Sequence, residues 1–121
     1  MGMAIDTRDA MEDRALAETR HLLTQWGIWV RSGGASIQGL GKTVAGESAT
    51  LTDAQALRVD RAVGQLWRRR KLVGRAVKMY YLSSHCSHRM LGSSLRMDSR
   101  SARTLLAAGE HWVDAWLQAH P

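Results

Sequence analysis

Apolar residues recur along most of this chain at the three- and four-residue spacing of an amphipathic helix. The first series predicts one long helix over residues 7–31, and the Gly33-Gly34 pair after it is typical of a helix end. Its members are Ala15, Leu22, Leu23, Trp26, Trp29 and Val30. No stretch alternates apolar and polar residues over the length of a strand, so the pattern predicts an all-α fold.

A second region of helical spacing begins at Thr52, which forms a capping-box pattern with Gln55 three residues later. Its apolar positions are Ala56, Val59, Ala62, Val63, Leu66 and Trp67, and then Leu72, Val73, Ala76, Val77 and Tyr80. These positions predict helices over about residues 52–83. They leave open whether the chain breaks or only kinks near residue 70.

Residues 32–50, between the two helical regions, are rich in Gly, Ser and Thr and have no periodicity, which predicts a long, flexible loop. Within it, the sequence GLGKT at residues 39–43 invites comparison with a phosphate-binding loop. That motif requires a glycine where Ser36 stands, and it follows a strand, whereas a helix is predicted here. We therefore expect no nucleotide hydrolysis.

The last helical region is split in two. Residues 84–87 interrupt the pattern, two helical turns follow over residues 88–95, and a long helix is predicted from Ser99 to about Leu117. Its apolar positions are Ala102, Leu105, Leu106, Gly109, Trp112, Val113 and Trp116. Asp98 is a strong N-cap for this helix. The pattern predicts a helix-turn-helix at about residues 87–117, within a single domain that spans residues 1–121.

Small or apolar residues stand at the offsets that the interior of a helix-turn-helix requires. They are Leu91, Gly92, Leu95, Met97, Ala102 and Leu106. One position departs from the pattern, because Arg96 occupies the place in the turn that Gly most often holds. A left-handed backbone would be strained at an arginine, and a turn that avoids a positive φ would remove that strain.

Polar residues remain for the outer face of the long helix, and they are Ser99, Arg100, Ser101, Arg103 and Thr104. Arg100 and Arg103 are three residues apart, so they lie on neighbouring turns of one side. Two interpretations stay open at this point. This face contacts double-stranded DNA in a groove, or it is the solvated face of an ordinary helical hairpin.

The net charge of +6 favours a polyanion as partner, because it is concentrated in part of the chain. Residues 51–83 contribute +6 and residues 84–104 contribute +3. The candidates for contact with phosphate or RNA are Arg68, Arg69, Arg70, Lys71 and Arg75.

Other chemistry has less support in the sequence. His85, Cys86 and His88 cluster, but a structural zinc site requires four ligands. All five tryptophans lie in the apolar series, which predicts core packing and not a platform for stacking bases. We expect no enzymatic activity, no cofactor and no metal. We expect a cytoplasmic protein without a membrane partner. The sequence has one cysteine, no signal-peptide pattern and no apolar stretch of membrane-spanning length.

Several segments together resemble the phage antitermination protein Q family, in the branch related to lambdoid phage 21. The resemblance covers about residues 22–117 and includes "LLTQWGIWVRSGG", "VDRAVGQL", "VGRAVKMYYL" and "LLAAGEHWVDAWL". Its most specific parts are Trp26-Gly27-Ile28-Trp29, Asp60-Arg61-Ala62-Val63 and Tyr80-Tyr81.

The resemblance implies a small phage protein that binds DNA near a late promoter through a sigma-like helix-turn-helix. Such proteins load onto bacterial RNA polymerase holoenzyme at a promoter-proximal pause, contact its sigma factor and RNA exit channel, and suppress termination. It implies DNA contact by Ser99, Arg100, Ser101, Arg103 and Thr104. It also implies that the 68–71 basic run contacts phosphate or lies along the path of nascent RNA. The expected location of the protein is the host cytoplasm, at the nucleoid. The alternative is a conventional regulator that acts only at the promoter.

Overall fold

The computed structural model describes residues 7–34 and 49–121, and these form an all-α domain. Its helices are α1 (Thr7–Arg31), α2 (Asp53–Arg69), α3 (Lys71–Leu82), α4 (His88–Leu95) and α5 (Ser99–Ala119). The predicted all-α fold is confirmed. The predicted loop falls mostly outside the described residues, since 35–48, including the whole GLGKT sequence, are not among them.

Helix boundaries follow the local signals in the sequence. Thr52 and Gln55 form both hydrogen bonds of the predicted capping box. Gly33 and Gly34 have φ values of 96° and 59°, as expected for glycines that end α1. The chain breaks near residue 70 and does not only kink. Arg70 alone separates α2 from α3, with φ −140° and ψ 86°.

Helix α5 is the central element, because it packs against all four other helices. The core between them is almost wholly aliphatic, and Trp26 is the largest fully enclosed side chain. The buried members on α2, α3 and α5 include Val59, Ala62, Val63, Leu66, Ala76, Val77, Ala102, Leu106 and Val113. None of the helices within residues 7–34 and 49–121 is long and apolar enough to cross a bilayer.

The predicted stripes need correction on α1 and α3. Leu16 and the polar Thr19 belong to the buried side of α1, although the apolar series omitted them. On α3, Leu72 is 49% exposed, while Tyr81 is buried in the place predicted for its neighbour Tyr80. Tyr80 is half-buried. Helical spacing allows either tyrosine beside Val77, because Tyr80 follows it by three residues and Tyr81 by four.

Polar side chains tie α1 to the other helices. The Trp26 indole donates a hydrogen bond to Asp60 on α2 at 3.1 Å, and the Trp29 indole donates to Asp53 at 2.9 Å. Thr19 Oγ1 donates to Asp114 on α5 at 2.8 Å. Asp60 therefore accepts a hydrogen bond that ties α1 to α2.

A buried carboxylate forms a further tie. Glu110 on α5 is 3% exposed, and it accepts hydrogen bonds from Arg20 Nε at 3.0 Å and from the Tyr81 hydroxyl. Burial, followed by the bond to Glu110, raises the pKa of Tyr81 far above its ordinary value, so Tyr81 stays a proton donor. The apolar series omitted Glu110 because it is charged. Its spacing from Leu106 and Val113 does place it on the buried face.

Candidate nucleic-acid interface

A tight corner joins α4 to α5. Ser87 caps α4 by accepting from the backbone N–H of Met90 at 3.1 Å. After Leu95, the N–H of Arg96 donates to the Ser93 carbonyl and that of Met97 donates to the Gly92 carbonyl. These two bonds form a Schellman motif with Arg96 in the left-handed position, at φ 60° and ψ 47°. The turn thus adopts the strained backbone at arginine, at a cost of about 1–2 kcal/mol.

Side chains predicted for the interior of this corner do pack inward. Leu91, Ala102 and Leu106 are buried, while Leu95 and Met97 are half-buried against the core. The turn passes Gly92 so closely that a Cβ there would lie 2.6 Å from the carbonyl oxygen of Met97. Position 92 therefore has room only for glycine.

Asp98 starts α5 as predicted. Its Oδ1 accepts a hydrogen bond from the backbone N–H of Ser101 at 2.7 Å. This bond lowers the pKa of Asp98 below its ordinary value, so the cap is ionised at neutral pH. The cap fixes where α5 begins and thereby which residues of its first turns face outward.

The first turns of α5 present an exposed polar surface. All five predicted DNA contacts are exposed, and they are Ser99, Arg100, Ser101, Arg103 and Thr104. The same exposed side of the helix continues from Arg100 and Thr104 through Ala108 to His111, at spacings of three and four residues. The predicted contact residues are therefore one end of a longer exposed stripe, which we call the α5 stripe.

The basic run lies at the second corner of the molecule, between α2 and α3. Its members Arg68, Arg69, Arg70 and Lys71 are all exposed, as is Arg75 on α3. Gly74 allows the two helices to meet, because a Cβ there would lie 2.7 Å from the Cα of Trp67. Arg70 has no side-chain cap bond to start α3, so this corner depends on packing and not on a cap.

The basic residues around this corner divide between two sides of α3. Arg70 and Val73 line an open pocket of about 340 Å³ together with Ala108, His111 and Trp112 of α5. At about 100° per residue, Lys71, Arg75 and Lys78 lie on the side of α3 that is turned away from Val73. The run therefore does not act as one patch, since Arg70 adjoins the α5 stripe and Lys71 and Arg75 face elsewhere.

Four of the five tryptophans confirm the prediction of core packing. Trp26 is buried, and Trp29, Trp112 and Trp116 are half-buried against the core. Trp67 differs, because it is half-buried outside that group and lies beneath lysines. The Lys78 Nζ is 4.4 Å from its ring centroid and the Lys71 Nζ is 6.0 Å from it. We call Trp67, Lys71, Arg75 and Lys78 the outer α3 surface.

The histidine and cysteine cluster does not form a metal site. Cys86 is half-buried, and burial raises the pKa of its thiol. His88 stacks on Tyr80 at 5.4 Å between ring centroids, and His85 is exposed. Within residues 7–34 and 49–121, no three His, Cys, Asp or Glu side chains are arranged to hold a metal ion.

No protein-family model, curated protein or solved structure matches this chain. The resemblance to the antitermination protein Q family consequently rests on the residues quoted above, and it remains a prediction.

Proposed function

We propose that this protein is a phage Q-type transcription antiterminator that reads double-stranded DNA with α4 and α5. The observation that carries the proposal is the exposed polar face of α5, which begins at the Asp98 cap and carries Arg100 and Arg103. A second helix with a polar, basic outer face, joined to a short first helix by a tight turn, is the arrangement that places side chains in the major groove.

The resemblance gains support from where its most specific residues lie. Trp26 donates to Asp60, which joins the tryptophan segment of α1 to the Asp-Arg segment of α2. Gly27 faces the carbonyl of Tyr81 so closely that any Cβ there would clash with it, and Arg31 Nη1 donates to the same carbonyl at 3.1 Å. Three segments that are distant in sequence thus form one structural junction, which is a reason for them to occur together.

The outer α3 surface supplies a place for a second partner. It carries the positive charges of Lys71, Arg75 and Lys78 beside Trp67, and no acidic residue lies between residues 61 and 78. Positive charge beside an aromatic ring suits single-stranded nucleic acid. We assign this surface to nascent RNA at the exit channel of bacterial RNA polymerase, while α5 and the sigma factor lie at the DNA.

In vitro transcription with bacterial RNA polymerase holoenzyme tests the proposal. The template carries the phage late-promoter region, a promoter-proximal pause and a downstream terminator. We expect the protein to increase terminator readthrough, and the Arg100→Ala, Arg103→Ala double variant to fail on the same template. A matched template with a scrambled promoter region is the control.

Two other outcomes would contradict antitermination. A change in the number of transcripts started, with unchanged readthrough, would identify a regulator that acts only at the promoter. Equal readthrough on the native and scrambled templates would show that DNA recognition has no part in the activity.

A further inference from the structure

An open pocket lies between α3 and α5, beside the proposed DNA-reading face. It is lined by two residues with nitrogen-bearing side chains, Arg70 and His111, together with Val73, Ala108 and Trp112. Its volume of about 340 Å³ is within the range of small-ligand sites, and it is open to solvent. A residue of the α2–α3 link and a residue of α5, both able to donate hydrogen bonds, thus line one recess.

The position of the pocket along α5 shows what could reach it. His111 follows Arg100 by eleven residues, which is about 16 Å along the helix axis. The major groove of B-DNA is about 12 Å wide. When Arg100 lies among base edges, His111 therefore lies beyond the groove, at the level of the sugar–phosphate backbone that borders it.

We propose that Arg70 and His111 clamp one backbone phosphate of the DNA whose groove α5 enters. This inference rests on the proposed DNA-binding function and adds a positioning site to it. Arg70 supplies charge and two-point hydrogen bonding to the phosphate oxygens, and His111 donates a further hydrogen bond. Val73 and Trp112 form the apolar wall against which the adjoining sugar packs.

The break between α2 and α3 thereby acquires a role in recognition. Arg70 is the one residue between the two helices, and its carbonyl accepts from the N–H of Gly74 at 2.8 Å. Its backbone is held at both sides, because its own N–H donates to the Leu66 carbonyl. The clamp therefore links α5 to the basic corner and fixes the angle at which α5 meets the duplex.

Binding to a random-sequence duplex, measured by fluorescence anisotropy over a series of salt concentrations, tests the clamp. Such a duplex suffices because a phosphate contact does not depend on sequence. We expect Arg70→Gln to reduce the slope of log affinity against log salt by about 0.9, the value of one phosphate contact. His111→Phe should weaken binding about 10- to 150-fold, as for a lost hydrogen bond to a charged group.

Arg75→Gln is the matched control, since it removes the same charge from the opposite side of α3. We expect it to leave the salt slope unchanged. All three side chains are exposed, so the melting temperatures should match that of the unmodified protein. An equal loss of slope in Arg70→Gln and Arg75→Gln would overturn the clamp and indicate a diffuse electrostatic effect.

The remaining outcomes distinguish failure of the clamp from failure of the proposed DNA-binding function. Duplex binding by the unmodified protein, with slope and affinity unchanged in both pocket variants, would overturn the clamp alone. Weaker binding of a single-stranded RNA, with duplex binding unchanged, would assign the pocket to RNA and overturn the clamp. Absence of any duplex binding by the unmodified protein would overturn the clamp and the proposed function together.

Discussion

Two helical corners organise this molecule, and they are built by different means. The α4–α5 corner has a Schellman turn that ends α4 and a capping side chain, Asp98, that starts α5. The α2–α3 corner has a single linking residue, Arg70, and no side-chain cap for α3. Both depend on a glycine in close contact with the opposite backbone, Gly92 in one and Gly74 in the other.

The difference shows which kinds of corner a sequence reveals. Caps and turns use residue types at fixed offsets, so they leave a local pattern. A corner that depends on the fit between two helix backbones leaves only a glycine, and a glycine within a helical stretch has several explanations. The following predictions test whether the two corners are equally important and whether they serve different partners.

The largest effects are expected from adding a methyl group at either corner. Gly74→Ala and Gly92→Ala each place a Cβ within 2.7 Å of backbone atoms, so α2 and α3 must separate in the first variant and the turn must shift in the second. We expect each to lower the free energy of unfolding by about 1–3 kcal/mol, as measured by chemical denaturation. Gly64→Ala is the control, because no heavy atom lies within 4 Å of its added Cβ.

That control should raise stability by about 0.5–1 kcal/mol, since alanine is the better helix former. If Gly74→Ala proved as stable as Gly64→Ala, the close packing of α2 against α3 would not hold this corner together.

Removing charge beyond the α4–α5 corner should affect sequence recognition. Arg100→Ala and Arg103→Ala should each cost about 1–3 kcal/mol on the preferred DNA site and relax specificity at one base pair. The measurement is affinity selection from a random duplex pool, followed by anisotropy. Arg61→Ala on α2 is the matched control and should keep the preference. An unaltered preference in both α5 variants would refute base reading by these arginines.

Smaller changes in stability, of opposite sign at the two corners, are expected when the turn residue is replaced by glycine. Arg96→Gly should relieve the left-handed strain of about 1–2 kcal/mol, less the entropy that glycine gains on unfolding, for a net stabilisation of up to about 1 kcal/mol. Arg70→Gly relieves no such strain, because φ is −140° there, and it should destabilise the protein by about 0.5–1 kcal/mol. Denaturation midpoints of the two variants decide this. Destabilisation by Arg96→Gly would show that the arginine side chain itself supports the turn.

The smallest effect on duplex binding is expected from the outer α3 surface. The Lys71→Gln, Arg75→Gln double variant should change duplex affinity by less than about threefold and leave the salt slope unaltered, since no phosphate contact is lost. Terminator readthrough should nevertheless fall, because this surface is assigned to nascent RNA. Anisotropy and the transcription assay on one preparation measure both. Normal readthrough in this variant would show that the outer α3 surface does not bind nascent RNA.

The sequence predicted most of the fold because most of its elements carry local signals. The bounds of α1 and α4, the Thr52 capping box and the Asp98 cap are as predicted. The burial of Glu110 and Tyr81 was missed, because a buried carboxylate depends on partners from α1 and α3 that no local pattern identifies. The exposure of Leu72 was missed because its spacing of four residues from the buried Ala76 is also that of a buried position.

The candidate site was predicted in its parts and not in its arrangement. Each predicted contact residue is exposed, as expected of a binding surface, but exposure alone does not test DNA contact. Sequence reasoning treated the 68–71 run as one unit, whereas the fold separates Arg70 from Lys71. It also missed His111, whose signal is its place on the exposed side of α5, three residues beyond Ala108.

The hydrogen bonds of α1 determine how that helix can leave the domain. An apolar stripe tolerates a slip along its neighbours, because hydrophobic contact has no direction. Hydrogen bonds do not tolerate such a slip. A shift of one turn, about 5.4 Å, would break all four bonds that Thr19, Arg20, Trp26 and Trp29 donate to the other helices. Helix α1 therefore has a single register, and we expect it to leave the domain as one unit. Its backbone amides between residues 19 and 29 should exchange with solvent as one cooperative unit.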